Sequence, residues 1–88
     1  MKNKQNVSQI LENLKTEINN YYIGCAIADK RQELGFSQEE TAHLLNISTY
    51  EFKLYETGEK EISPEILYKL SNIFNVKVSS FFNMLNYI

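Results

Sequence analysis

Ser37-Gln38-Glu39-Glu40-Thr41-Ala42-His43-Leu44-Leu45-Asn46-Ile47-Ser48-Thr49-Tyr50-Glu51-Phe52-Lys53-Leu54-Tyr55-Glu56-Thr57-Gly58 contains two helix-start signals. Ser37 followed three residues later by Glu40 reads as a capping box, in which the hydroxyl and the carboxylate each satisfy a backbone N–H that the first helical turn leaves unpaired. Ser48 with Glu51 repeats the pattern. The first helix ends near Leu45, and Asn46, a residue that tolerates positive φ, marks the turn. The second runs from Thr49 to about Glu56, and Gly58 ends it.

Two helices of about eight residues joined by three or four residues must cross steeply, which is the geometry of a helix-turn-helix. Ala42 is small where the two approach. Leu45, Ile47, Phe52 and Tyr55 are expected to bury against the first and fourth helices of the domain, with no β-type alternation to compete.

Moving outward, a helix over about Tyr21–Leu34 places Ile23, Ile27 and Leu34 on one face, with Gly35 as its left-handed cap. Before it, Asn6 reads as an N-cap and Val7, Ile10, Leu11, Leu14 and Ile18 recur at helical spacing. The polar pair Asn19-Asn20 is expected to interrupt this first amphipathic helix. Downstream, Ser63-Pro64 opens a helix carrying Ile66, Leu67, Leu70, Ile73 and Phe74, which stops at Asn75. Ser79 is expected to cap a last helix bearing Phe81, Phe82, Leu85 and Ile88. The expected fold is all-α, a compact five-helix domain over 21–88 with an extra N-terminal helical extension over 1–20.

Composition excludes several classes of function. Eighty-eight residues make room for one domain. One cysteine, Cys25, rules out an intrachain disulfide and reads as a small hydrophobe. No run approaches a membrane span and no signal peptide is legible, so a cytoplasmic protein is expected. His43 has no cysteine or second histidine near it, so no metal or cofactor is expected. No Gly-rich phosphate loop or nucleophile constellation argues for an enzyme. Charge is unusual for a nucleic-acid binder. The formal net charge is −2, and Tyr21–Phe82 carries six basic against nine acidic residues, a balance of −3.

Ile23-Gly24, Lys30-Arg31, Leu34-Gly35-Phe36-Ser37-Gln38-Glu39, Ala42, Leu45, Ile47-Ser48, Tyr55-Glu56-x-Gly58, Leu67, Leu70, Val76 and Phe81-Phe82 stand in an order and spacing that resemble the phage-repressor and Cro-type (XRE-type) helix-turn-helix family. The endings Tyr55-Glu56-x-Gly58 and Phe81-Phe82 look like its bacterial chromosomal branch. The resemblance covers about two thirds of the chain. It implies a lambda-repressor-like domain that binds double-stranded DNA as a homodimer and regulates transcription. The helix from Thr49 to Glu56 would then be the recognition helix, entering the major groove by its N-terminal end. The DNA-binding residues carried over are Gln38, Ser48, Thr49, Tyr50, Lys53, Leu54, Thr57 and Lys60. Gln38 matches a position that contacts phosphate and supports the recognition helix, and Thr57, Gly58 and Lys60 lie where the family's loop meets the other flank. Arg31 and Glu56 match a structural ion pair.

Tyr50, Glu51 and Leu54 stand where this branch often has polar amides or bases, and Glu61 where it often has a base. Glu51 either closes its capping box or reads a base. Tyr50 either reads DNA or is an exposed aromatic. Leu54 either meets a thymine methyl or packs on the body. The stripe Val7–Ile18 and the apolar tail Phe81–Ile88 either pack on their own domain or mate with a partner. The alternative function is a protein-interaction regulator or antitoxin-like module that keeps the fold without relying on DNA.

Overall fold

The computed structural model describes residues 7–87, with side chains to Phe82. Four α-helices follow one another: α1 (Val7–Leu34), α2 (Gln38–Leu45), α3 (Thr49–Thr57) and α4 (Pro64–Phe74). A 3-10 helix over Val78–Tyr87 follows them. Among the described residues there is no strand.

Local chemistry sets most of the boundaries. Ser37 accepts from the Glu40 N–H at 2.9 Å while the Glu40 carboxylate accepts from the Ser37 N–H at 2.8 Å. Ser48 and Ser63 cap α3 and α4 by accepting from the Glu51 and Ile66 N–H groups. Four helix ends are left-handed: Gly35 (φ 84°), Asn46 (φ 61°), Gly58 (φ 81°) and Asn75 (φ 56°). Each terminates its helix by turning the chain where continued α-geometry would carry it past the core.

Four expectations are corrected. Asn19-Asn20 does not interrupt a helix, because α1 runs unbroken for 28 residues. Asparagine costs an interior position at most ~0.7 kcal/mol relative to alanine, and neither glycine nor proline is present there to break the ladder. Leu34 is not in the core but 46% exposed at the helix end. Gly35 (φ 84°) turns the chain there, and Phe36 packs inward instead, its ring 5.7 Å from that of Phe74. The Ser48 box is one-sided, since the Glu51 carboxylate bonds elsewhere. Ser79 does not cap the last helix, which is of 3-10 type and starts at Val78. Asn6 and Ile88 lie outside the described residues, as does the side chain of Leu85.

Every element sends side chains to one core. Ile23 and Ile27 come from α1, Ala42 and Leu45 from α2, Phe52 and Tyr55 from α3, Leu67, Leu70 and Phe74 from α4, and Phe81 from the 3-10 helix. Ile47 and Phe82 are half-buried at its margin. The molecule measures 51 × 28 × 19 Å. Its length comes from α1, which spans about 42 Å at 1.5 Å per residue. Every residue from Val7 to Asn19 is exposed, so the first half of this helix stands clear of the other elements.

Candidate nucleic-acid interface

The body presents α3 on a platform made by α1 and α2. Two glycines permit the close crossing of α1 and α3. A Cβ built on Gly24 would collide with the carbonyl oxygens of Glu56 and Tyr55. One built on Gly58 would come within 2.8 Å of the Tyr21 backbone, and its φ of 81° already disfavours a side chain. The C-terminal end of α3 therefore rests against the α1 backbone around Asn20–Gly24.

A buried ion pair fixes the same crossing. Arg31 donates from Nε to Glu56 Oε2 at 2.6 Å and from Nη2 to Glu56 Oε1 at 3.2 Å, a bidentate fork. The two side chains are only 10% and 7% exposed. Arg31 Nη1 donates to the Phe36 carbonyl at 2.9 Å, which ties in the turn between α1 and α2. Gln38 Nε2 donates to Glu56 Oε1 at 2.8 Å. One carboxylate thus joins α1, α2 and α3. Among the described residues, no buried side-chain nitrogen or oxygen lacks a partner.

With Phe52 and Tyr55 turned inward, the opposite side of α3 faces solvent. Tyr50 is 72% exposed, and Ser48, Lys53 and Thr57 are exposed with it. Thr49 and Leu54 are half-buried at the edges of this face. Lys53 makes no ion pair among the described residues. Lys60 lies beyond the helix end and donates from Nζ to Glu51 Oε2 at 2.9 Å, with its ammonium 5.6 Å from the Tyr55 ring centroid. The Tyr55 hydroxyl donates to the same Glu51 oxygen at 2.7 Å. Lys60 and Tyr55 hold the Glu51 carboxyl below its ordinary range. Burial, then the bond to Glu51, pushes the Tyr55 hydroxyl up to about 12.

Tyr50, Lys53, Thr57, Ser48 and Thr49 therefore share one surface with Lys60 at its rim. Gln38 sits at the start of α2 with its amide nitrogen turned to Glu56. The resemblance implied that Gln38 supports the recognition helix, and the bond to Glu56 does so, although a partner eighteen residues away was not legible in the sequence. Sequence reasoning missed the cluster of Glu51, Tyr55 and Lys60, although the four-residue spacing of Glu51 and Tyr55 on one helix was a usable signal. No group of three His, Cys, Asp or Glu among the described residues is placed to hold a metal ion. No helix there is long and apolar enough to cross a membrane.

A helix-turn-helix family model matches residues 27–81. The HTH-type transcriptional regulator ImmR of Bacillus subtilis (strain 168) is 35% identical over 54 residues, which are 61% of this chain and 42% of that protein. An uncharacterized HTH-type transcriptional regulator of Sinorhizobium medicae (strain WSM419) is 36% identical over 61 residues, 69% of this chain and 44% of that one. The chain thus spans less than half the length of these relatives. Among solved structures, the restriction-modification controller protein C.AhdI from Aeromonas hydrophila superposes with a TM-score of 0.70 at 22% identity, covering 74% of this chain and 98% of that one. The clp gene regulator ClgR from C. glutamicum does so with a TM-score of 0.70 at 23% identity, covering 74% and 84%. At those identities the structures speak for the fold alone, while the sequence match extends over most of the body built around α2 and α3. On motif, fold and family match together, the chain belongs to the XRE-type helix-turn-helix family of transcription regulators.

Proposed function

We propose that the chain is a sequence-specific DNA-binding transcriptional regulator that acts as a homodimer on an operator. Its family comprises regulators rather than enzymes. The observation that carries the reading is the exposed outer face of α3, held rigidly from behind by Phe52, Tyr55 and the Arg31–Glu56 pair. The N-terminal turns of α3 enter the major groove, where Thr49, Tyr50 and Leu54 meet base edges. Lys53, Lys60, Ser48, Thr57 and Gln38 contact the backbone, which gives affinity without sequence information. Residues 21–88 form the DNA-binding domain and 1–20 an extension of it. The protein works in the cytoplasm, needs no cofactor and has double-stranded DNA as its partner. The test is selection of bound duplexes from a random pool. Enrichment of a near-palindrome with half-sites about 10 base pairs apart, or a multiple of that, is expected.

A second reading has its own support. Lys60 and Gln38 are bonded to carboxylates, and the body is acidic. A protein-interaction or antitoxin-like module would use that acidic surface on another protein. Failure to bind any duplex at low salt favours it.

A further inference from the structure

Val7, Leu11, Leu14, Ile18, Tyr21 and Cys25 follow one another at steps of four, three, four, three and four residues. This is a strict 3.5-residue repeat over the first nineteen residues of α1, the period that keeps a seam facing a partner helix in a left-handed coiled coil. The first five are 70%, 54%, 49%, 41% and 53% exposed, and Cys25 is half-buried. At 100° per residue, the seam lies roughly 160° around the helix from Ile23, Ile27 and Arg31, the face that the body covers. From Val7 to Asn19 every residue of α1 is exposed, so no described element covers that part of the seam. An isolated helix of the length of this arm is also marginal in water.

We propose that this seam pairs with the same seam of a second copy, as a parallel, in-register, two-stranded coiled coil. The proposal deepens the homodimer of the functional reading by assigning its contact to α1. Like residues then meet in layers, Val7, Leu14 and Tyr21 at one core position and Leu11, Ile18 and Cys25 at the other. The flanking charges select the orientation. Antiparallel pairing that matched all six layers would set Glu17 against Glu17 and Lys15 against Lys15 of the second copy, a like-charge opposition that costs affinity. Parallel pairing instead places Ile10 beside the stem of Lys15 and Glu17 beside Tyr22. Covering the exposed halves of these side chains on both copies removes on the order of 1,000 Å² from water, the size at which specific interfaces begin. Over Val7–Ile18 the seam stands clear of the described body, every residue there being exposed, so a second helix can approach it along that stretch.

The experiment uses the full chain without DNA, so its result does not depend on whether the protein binds an operator. Sedimentation at micromolar concentration is expected to give the mass of two copies. Leu14→Asp should give one copy, with the thermal transition of the body retained because Leu14 touches none of the core. Leu11→Cys in a Cys25→Ser background should form a disulfide-linked dimer under mild oxidation. A one-copy parent overturns the proposal. So does a dimer that survives Leu14→Asp, which would move the contact elsewhere, for instance to the groove lined by Ile62, Leu67 and Phe82. Absence of the Leu11→Cys cross-link overturns the parallel pairing. Failure of duplex selection with these three results intact would instead count against the DNA reading alone.

Discussion

Glu56 accepts three side-chain hydrogen bonds while its own side chain is 7% exposed. A carboxylate so enclosed depends on its cation. Arg31→Ala leaves it with Gln38 alone, and removing one partner of a buried pair costs ~3–5 kcal/mol. Lys60→Ala breaks a pair whose lysine is 48% exposed, and such pairs contribute about 1 kcal/mol or less. Urea denaturation of the two variants should therefore separate clearly, and coincident midpoints would refute the role given to Arg31. Tyr55 supplies a second check. Its folded value, raised to about 12, means that the native state holds this proton after the unfolded chain has lost it. Stability is thus unaffected below ~10, the ordinary tyrosine value, and falls as the pH rises from there toward 12. Ultraviolet titration should show a phenol titrating at about 12 that Tyr55→Phe abolishes. Glu51 carries the opposite sign. Its lowered value stabilises the fold above the ordinary carboxylate range and is lost as the pH falls through the folded value. Glu51→Gln should flatten that acid limb, and by freeing Lys60 it should tighten nonspecific DNA binding.

At the scale of elements, the crossing of α1 and α3 admits little change. Gly24→Ala pushes a methyl group into the backbone carbonyls of Tyr55 and Glu56, atoms that move only if the whole of α3 moves. Overpacking of this kind costs ~1–3 kcal/mol or more, and a melting temperature equal to the parent's would contradict the close approach. The helix boundaries were legible in sequence because caps are local: a serine, a glutamate three residues on, an asparagine or glycine at the end. The helix-turn-helix followed from two such signals and the short link between them. What escaped was set by tertiary packing. Asn19-Asn20 reads as a break when taken alone, yet Asn20 and Tyr21 lie in the stretch of α1 that rests against Gly58, and the helix continues. Leu34 has the right spacing for the core, but Phe36 takes the place beyond the turn. Gln38 reads in sequence as a residue that supports the recognition helix, but nothing local reveals Glu56 as its partner.

The whole molecule combines a helix-turn-helix body with an acidic charge balance and a long helical arm. Phosphate contacts release counterions, so affinity for duplex DNA falls linearly with salt on logarithmic axes, with a slope set by the number of phosphates neutralised. Gel shifts on the selected duplex across a salt series measure that slope directly. The parent should bind with a steep dependence. Lys53→Ala should weaken binding to all sequences and reduce the slope by roughly one. Tyr50→Ala should relax the choice of base at one position and leave the slope alone. If the parent binds no duplex at low salt, or if Lys53→Ala binds as the parent does with the same slope, the outer face of α3 is not a DNA-binding surface.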